Sequence, residues 1–313
     1  MSEIIAEEVL MPEGGESFGN EGILRMMWRT FAENKLALFG LATIVFMFLF
    51  CFFGPWVFHS NQTDSATATT NAINSGAGVD FPWFQTWTHP LGTDGQGFDI
   101  LGRLMFGGKA ALAVGFLAGF MATVVGALWG AIAGYRGGKL DTVMMRFVDI
   151  GLSIPGLFLL IAIVIVFGRS PFIIVMTLGL TSWFGASRLL RGETLSLRTR
   201  EYVLAVRSMG GSDRRIISKH ILPNAIGTMV VLGTFSVADS ILALAGLGFV
   251  GLGIQAPNTD WGTMLSNGVA DGQTNGFWWD IIPVGLCIIV VVVALNYIGD
   301  ALRDAFEVRL QKR

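Results

Sequence analysis

AALAVGFLAGFMATVVGALWGAIAGY, residues 110–135, contains no charged side chain. It is longer than the roughly 20 residues a helix needs to cross the hydrocarbon core of a bilayer. Backbone groups in lipid find partners only within a helix or a closed barrel, and so continuous an apolar run is not the alternating strand of a barrel. The stretch therefore predicts a membrane-spanning helix. Within it Gly115 and Gly119, then Gly126, Gly130 and Gly134, stand four apart, a spacing that lets a second helix approach closely. Packing within the chain is the simpler reading of that spacing, and a dedicated dimer face the other.

Five further stretches read the same way, which places spans at about 36–58, 110–135, 147–168, 170–189, 225–250 and 281–300. Leu36–Phe58, Ile150–Gly168, Ser170–Ser187 and Ile281–Gly299 are free of charge, and Ala225–Thr259 carries only Asp239. Arg169, Ser170 and Pro171 leave a tight turn between the third and fourth spans. The expected fold class is thus an all-α polytopic membrane protein with about six transmembrane helices. Composition agrees: 14% of residues are charged, where a soluble domain carries about 25%. Cys51 and Cys287 lie inside apolar runs without metal-ligand spacing and read as small packing residues.

Charge sets the expected orientation. Of the 21 Lys and Arg residues, only Arg103, Lys109 and Arg169 fall outside the termini and the segments between spans two and three and between spans four and five. By the positive-inside tendency both termini are expected in the cytoplasm, with loops 59–109 and 251–280 facing outward. Residues 1–22 are acidic, with Glu3, Glu7, Glu8, Glu13, Glu16 and Glu21. That is the opposite of a basic signal-peptide start, so an uncleaved tail is expected there and a membrane domain over 23–313. Residues 59–80 are rich in Ser, Thr, Asn and Ala and read as irregular. In 251–280 the acids Asp260, Asp271 and Asp280 accompany Trp261, Trp278 and Trp279, tryptophans that most simply mark a membrane interface.

The inner loop 191–224 carries the most information. Glu201 to Met209 places Tyr202, Val206 and Met209 at i, i+4 and i+7, a helical stripe. Gly210 and Gly211 then suit a helix C-terminus that needs positive φ. Ser212 and Asp213 suit the start of a second helix, whose stripe is Ile216, Ile217 and Ile221 and which Pro223 closes. A plain solvated loop with excess positive charge would not need two amphipathic helices about a glycine. Such a unit has apolar faces to bury, against the chain's own helix ends or a soluble partner.

Glu201-Tyr-Val-Leu-Ala205-Val-Arg-Ser-Met-Gly210, followed by Ile221-Leu222-Pro223-Asn224, resembles the cytoplasmic EAA loop of binding-protein-dependent ABC importer permeases. Further segments resemble one subgroup: His89-Pro-Leu-Gly-Thr-Asp94 with Gly97, Asp99 and Arg103; Gly134-Tyr-Arg-Gly-Gly138 with Asp141, Met145-Arg146, Asp149 and Pro155; Trp261-Gly262; Asn296; and Gly299-Asp300-Ala-Leu-Arg303-Asp304. Together, from about residue 25 to the end, they are similar to the second, C-type permease subunit of dipeptide, oligopeptide and nickel importers.

The resemblance implies a type I importer permease fold, with 191–224 as the segment that couples to an ATPase. It implies that Glu201 pairs with a basic group on that ATPase, that Ala205 permits close approach and that Gly210 sets the turn. Arg207, Ile221 and Pro223 complete the coupling set, although solvation alone accounts equally well for Arg207. The implied partners are a homologous second permease subunit, two cytoplasmic ATPase subunits or domains, an extracytoplasmic substrate-binding protein and the lipid bilayer of a bacterial inner membrane, with no nucleic acid. The implied cargo is di- or oligopeptide; nickel or another small solute is the alternative, and an ion-coupled secondary transporter a further one. Departures stand at Val206, where a small residue is usual, at Phe98, where Arg is usual, and at Leu244, Gly248 and Phe249, where a Glu and a Ser-Phe pair are usual.

Asp239 lies at mid-span, where an ionisable group is costly and faces a cavity or a partner. It reads either as a pore-lining acid that meets a substrate amine or cation, or as an acid buried against a polar group or water within the bundle. Arg146 and Asp149 stand three apart and suit a local pair, and Pro155 suits a kink in the third span. Neither Gly108-Lys109-Ala110 nor Gly138-Lys139-Leu140 completes a P-loop, and His59, His89 and His220 are scattered. No ATP site, metal or other cofactor is expected in this chain, with ATP and Mg belonging to the partner ATPase, and no enzymatic activity is expected of the chain alone.

Overall fold

The computed structural model describes residues 23–58, 90–275 and 278–311. The expected acidic tail 1–22 and the polar stretch 59–80 lie outside the described residues. Within them the regular elements are helical, apart from a single bridge between Thr93 and Asp99. In chain order they are α1 (Ile23–Glu33), α2 (Lys35–Val57), α3 (Ile100–Arg136), α4 (Gly138–Ser153), α5 (Gly156–Phe167) and α6 (Pro171–Leu197). Two short helices follow, α7 (Glu201–Ser208) and α8 (Asp213–Ile216), the latter running into a π-helical turn at Ile217–Ile221. The chain ends with α9 (Ile226–Phe249), α10 (Trp261–Asn275) and α11 (Ile282–Gln311). Helices α2, α3, α6, α9 and α11 are long and apolar enough to cross a membrane; α4 and α5 together make a sixth candidate, bent by 85° at its break.

Helix α3 is the centre of the bundle, and its glycines explain why. A Cβ added at Gly119 would lie 2.7 Å from the backbone nitrogen of Val237 in α9. One at Gly126 would lie 2.9 Å from Trp183 O, at Gly130 2.8 Å from Arg191 N, and at Gly134 2.8 Å from Arg191 O, all in α6. Backbone rather than a movable side chain stands in the way each time. The four-residue glycine spacing thus serves packing within the chain, and α3 presents one set to α9 and another to α6. On the other flank α2 lies against α11 with a comparably close approach, a Cβ at Gly40 falling 2.8 Å from Ala294 O. Lipid offers no hydrophobic drive for helix association, so contact this close is what remains to hold helices together.

Several boundaries differ from the hydropathy reading, each for a physical reason. The span expected at 110–135 belongs to a helix that starts at Ile100, inside the loop expected at 59–109. Asp99 caps that helix by accepting from Gly102 N–H at 2.8 Å. Arg103 is buried yet satisfied, with its Nε 3.4 Å from Asp94 Oδ2 and its guanidinium 4.3 Å over the Phe98 ring. The span expected at 170–189 continues to Leu197, because Arg188 and Arg191 are paired rather than solvated. Ser170 caps α6 with its Oγ 3.3 Å from Ile173 N, and Pro171 takes the first helical position.

The span expected at 147–168 is not one helix. Its first part belongs to α4, which is amphipathic, and Ile154-Pro155 breaks the chain before α5. Pro155 has no N–H to give to a helical bond and disfavours helix at Ile154. Asp149 accepts from Arg188 Nη2 of α6, not from Arg146 as the local spacing suggested.

The outer loop expected at 251–280 contains α10. Asp260 is fully buried: its Oδ1 accepts from Thr263 N at 3.0 Å and its Oδ2 from Ile254 N at 2.9 Å and Thr263 Oγ1 at 2.7 Å. Trp261 is buried too, its Nε1 donating to Leu104 O at 3.0 Å and its ring lying against Gly108. It is therefore a packing residue between α10 and α3 rather than an interface marker. Cys51 is buried against Gly108 as well, and neither cysteine is in a disulfide.

Gly130→Leu puts a side chain where the α6 backbone lies, and overpacking a tight contact costs ~1–3 kcal/mol. Thermal unfolding of the purified chain in detergent should shift down by several degrees, whereas Gly285→Leu, where an added Cβ meets nothing within 4 Å, should leave the midpoint unchanged. Equal midpoints for the two variants would remove α3–α6 contact as the organising feature.

Candidate docking site at the basic end

Helix α6 ends in a turn that is tied back to α3. Arg198 N–H donates to Thr194 O at 2.9 Å, and Arg198 Nη1 donates to Gly134 O at 2.9 Å. Arg200 then caps α7 with extended backbone and no side-chain bond. The eight-residue α7 ends at Ser208, and the turn beyond it is made at Gly210, whose φ is +80°. Gly210 N–H donates to Arg207 O at 3.0 Å and Gly211 N–H to Val206 O at 3.0 Å. This pair of bonds around a left-handed residue is a Schellman turn. A residue with a Cβ pays a penalty there, and Pro cannot adopt that φ at all.

Ser212 starts α8 through its backbone alone; its side chain makes no cap bond. The π-helical turn that follows brings Ile216, Ile217 and Ile221 onto one buried face. They form a cluster with Ala131 of α3 and Val203 of α7, flanked by Ile132, Tyr135, Leu197, Val206 and Leu222. Arg136, the last residue of α3, reaches Asp213 at 3.2 Å. The two short helices are thus seated on the chain's own helix ends, as a knob with its supports inside.

The inward stripe of α7 is not the one that spacing suggested. Val203 is 1% exposed and Val206 half-buried, while Tyr202 is 40%, Leu204 47% and Met209 79% exposed. The fully buried cluster rotates α7 so that its small β-branched residues face in. An apolar face of Tyr202, Leu204 and Met209 is left outward, next to Glu201, Ala205, Arg207 and Gly210, all exposed. Pro223 is exposed beyond the π-turn. Ile221 is fully buried, so within the set Glu201, Ala205, Arg207, Gly210, Ile221 and Pro223 it supports the knob from inside. The structure brings the other five to the surface of one compact unit.

Asp239 lies in the middle of α9 on the side away from α3. Val237, Ala238, Ser240 and Ile241 around it are buried, but Asp239 is exposed. Among the described residues it makes no hydrogen bond and no ion pair.

Spacing alone did not bring out the ion pairs that flank the knob. Arg191 grips Asp141 through two bonds of 2.6 Å, and Arg188 binds Asp149. Each arginine is 39 or 50 residues from its acid, a separation that local pattern cannot bridge. The one signal was the presence of arginines inside an otherwise apolar run, where a charge needs a partner. Among the described residues no group of three or more His, Cys, Asp or Glu side chains is placed to hold a metal ion.

Comparison with known proteins fits this arrangement. Residues 126–312 match the family described as binding-protein-dependent transport system inner membrane component, and residues 22–73 match the N-terminal transmembrane domain of oligopeptide transport permease C. The oligopeptide transport system permease protein OppC of Haemophilus influenzae is 36% identical over 287 residues, covering 90% of this chain and 89% of the relative. The dipeptide transport system permease protein DppC of Bacillus subtilis is 35% identical over 285 residues, covering 91% and 85%. A chain of the inward-facing MetNI methionine ABC transporter has the same fold at a TM-score of 0.54 and 22% identity, covering 65% of this chain and 96% of that one. With its all-helical fold, its glycine-packed centre and its surface knob, the chain belongs to the family of binding-protein-dependent transport system inner membrane components, as a multi-pass permease of ABC importers.

Proposed function

We propose that this chain forms one half of the translocation pore of an ATP-driven importer that takes up peptides handed over by an extracytoplasmic binding protein. Its partner in the membrane is a homologous permease, and two ATPase subunits or domains sit below. The basic end, with both termini and residues 191–224, is cytoplasmic. The observation that carries the reading is the knob. It is rigidly seated on α3 and α6, yet leaves Tyr202, Leu204 and Met209 uncovered beside Glu201 and Arg207. An apolar face rimmed by charge, on an otherwise basic surface, is the chemistry of a groove-seated helix, with the apolar face giving contact and the charges register.

ATP enters only through the partner. Its binding and hydrolysis supply the differential stability of two states of the complex, and the knob delivers that difference to the pore helices. The relatives named for oligopeptide and dipeptide transport support peptide as the cargo. Asp239 is the residue of α9 best suited to meet it: an uncompensated acid on an apolar helix needs water or a cation beside it, and a peptide brings an ammonium group.

Two variants test the knob. Gly210→Ala keeps both turn bonds at the cost of a left-handed Ala, ~1–2 kcal/mol, and should support uptake near the wild-type rate. Gly210→Pro removes the N–H that binds Arg207 O and forbids the observed φ, at ~3 kcal/mol or more. It should assemble in part yet abolish uptake by membrane vesicles supplied with ATP and binding protein. Normal uptake in Gly210→Pro would reject the coupling role.

Asp239→Asn removes the charge and keeps the shape. Assembly should be unaffected, and uptake of peptides with a free amino terminus should fall several-fold while N-acetylated peptides lose less. Uptake unchanged for both, at every pH tested, would take Asp239 out of the substrate path.

A further inference from the structure

Helix α4 is isolated from the backbone continuity of its neighbours. It begins at Gly138, which with the preceding Gly137 has positive φ (+60° and +65°), and it ends at the Ile154-Pro155 break. One face, with Val143, Phe147 and Ile150, is exposed. On its other face three polar contacts attach it: Arg191 to Asp141, Arg188 to Asp149, and Trp129 Nε1 donating to Met144 O at 3.2 Å. Val148 adds apolar contact with Trp183 and Phe184 of α6. Helix α3 shares the apolar contact through Ala122, Val125 and Trp129, but both charged contacts of α4 come from α6, the helix that leads into the knob.

The two arginine pairs are not equal. Arg188 and Asp149 have side chains 51% and 43% exposed, where water screens a pair and leaves little net gain. Arg191 and Asp141 are 34% and 13% exposed, and their contact is bidentate. Two parallel charge-assisted bonds fix orientation as well as distance. Asp141 sits in the first turn of α4, where the helix dipole further favours its negative charge. The Arg191 backbone is itself pressed against Gly130 and Gly134 of α3. Its side chain thus starts from a fixed point, less than two turns of helix before the Arg198 bond that anchors the knob.

We propose that Asp141 and Arg191 are positioning residues for transport: their bidentate pair carries movement of the knob into α4, and so into the bend between α4 and α5. This inference rests on the importer reading above. A linkage of this kind acts only on an element with two arrangements. The strut between Gly137-Gly138 and Ile154-Pro155 is that element, because a helix flanked by two breaks turns as a unit without disturbing helical hydrogen bonds on either side. Leu157, in the first turn of α5, faces Gly246 of α9, where an added Cβ would lie 4.0 Å from its Cδ1, seven residues along the helix from Asp239. A change in the bend therefore reaches the helix face that carries the unpaired acid.

The test uses the complete complex, reconstituted in liposomes with its ATPase and binding protein, and reads ATP hydrolysed per peptide taken up. A residue that only stabilises the fold lowers both rates together and leaves that ratio unchanged. Asp141→Asn and Arg191→Lys both lose the two-pronged contact; Arg191→Lys keeps the charge and so guards against loss of folding. Each should assemble, retain ATP hydrolysis stimulated by the binding protein, and raise the ratio about tenfold, the effect of losing one charge-assisted hydrogen-bonding contact. The exchange Asp141→Arg with Arg191→Asp should bring the ratio part of the way back. An unchanged ratio in both single variants, or failure of both to assemble, would overturn the proposal. Wild-type complex that takes up no peptide at the expense of ATP would instead overturn the importer reading itself.

Discussion

Backbone-to-backbone contact along α3 is the constraint on which the rest of the structure depends. In water a helix of this length would be held by burial of its apolar side chains. In lipid those side chains are equally at ease outside, and what distinguishes the native arrangement is how closely helices approach. Gly119 against α9, and Gly126, Gly130 and Gly134 against α6, allow that approach. The same contacts fix where Arg191 starts, where the turn at Arg198 is anchored, and which face of α9 is left to carry Asp239. Stability and the proposed transmission thus use one surface: the helices packed tightest are the ones that run into the knob.

The knob follows from that arrangement. Ala131 and Tyr135 extend α3 far enough to receive Ile216, Ile217 and Ile221, and the π-helical turn brings those three isoleucines onto one face. With its inward residues satisfied, the unit presents an outward face that the other described residues do not cover. Rigid support beneath an unsatisfied surface suits a part that must pass on a push. A floppy loop with the same charges would absorb the motion of a partner; a knob seated on two membrane helices does not.

Much of the fold was legible because lipid simplifies the reading. Charge-free runs marked the spanning helices, and the asymmetry of Lys and Arg separated the two ends. Errors came where charge is satisfied internally. Arg103 is buried between Asp94 and the Phe98 ring, so the N-terminal turns of α3 looked like loop. Asp260 and Trp261 build the start of α10 through contacts with Ile254 and Leu104, partners that periodicity does not reveal. The Gly210 turn was visible because its geometry is local. The face of α7 was not: Tyr202, Val206 and Met209 make as good a stripe as Val203 and Val206, and only the position of Ile216, Ile217 and Ile221 decides between them. Asp141 with Arg191 was hidden for the same reason, since the pairing is a property of where α6 and α4 end up.

The account stands on a motor subunit gripping the exposed face of the knob from the inner side of the membrane. A single cysteine at Met209, in a background with Cys51 and Cys287 replaced by Ala, measures this directly in the assembled complex. The account predicts that a maleimide–benzophenone reagent attached at this position links it on illumination to a co-purifying nucleotide-hydrolysing subunit, and that a membrane-impermeant maleimide reaches it only from the cytoplasmic face. Labelling from the outer face, or a freely reactive cysteine that links to nothing in the intact assembly, would contradict it.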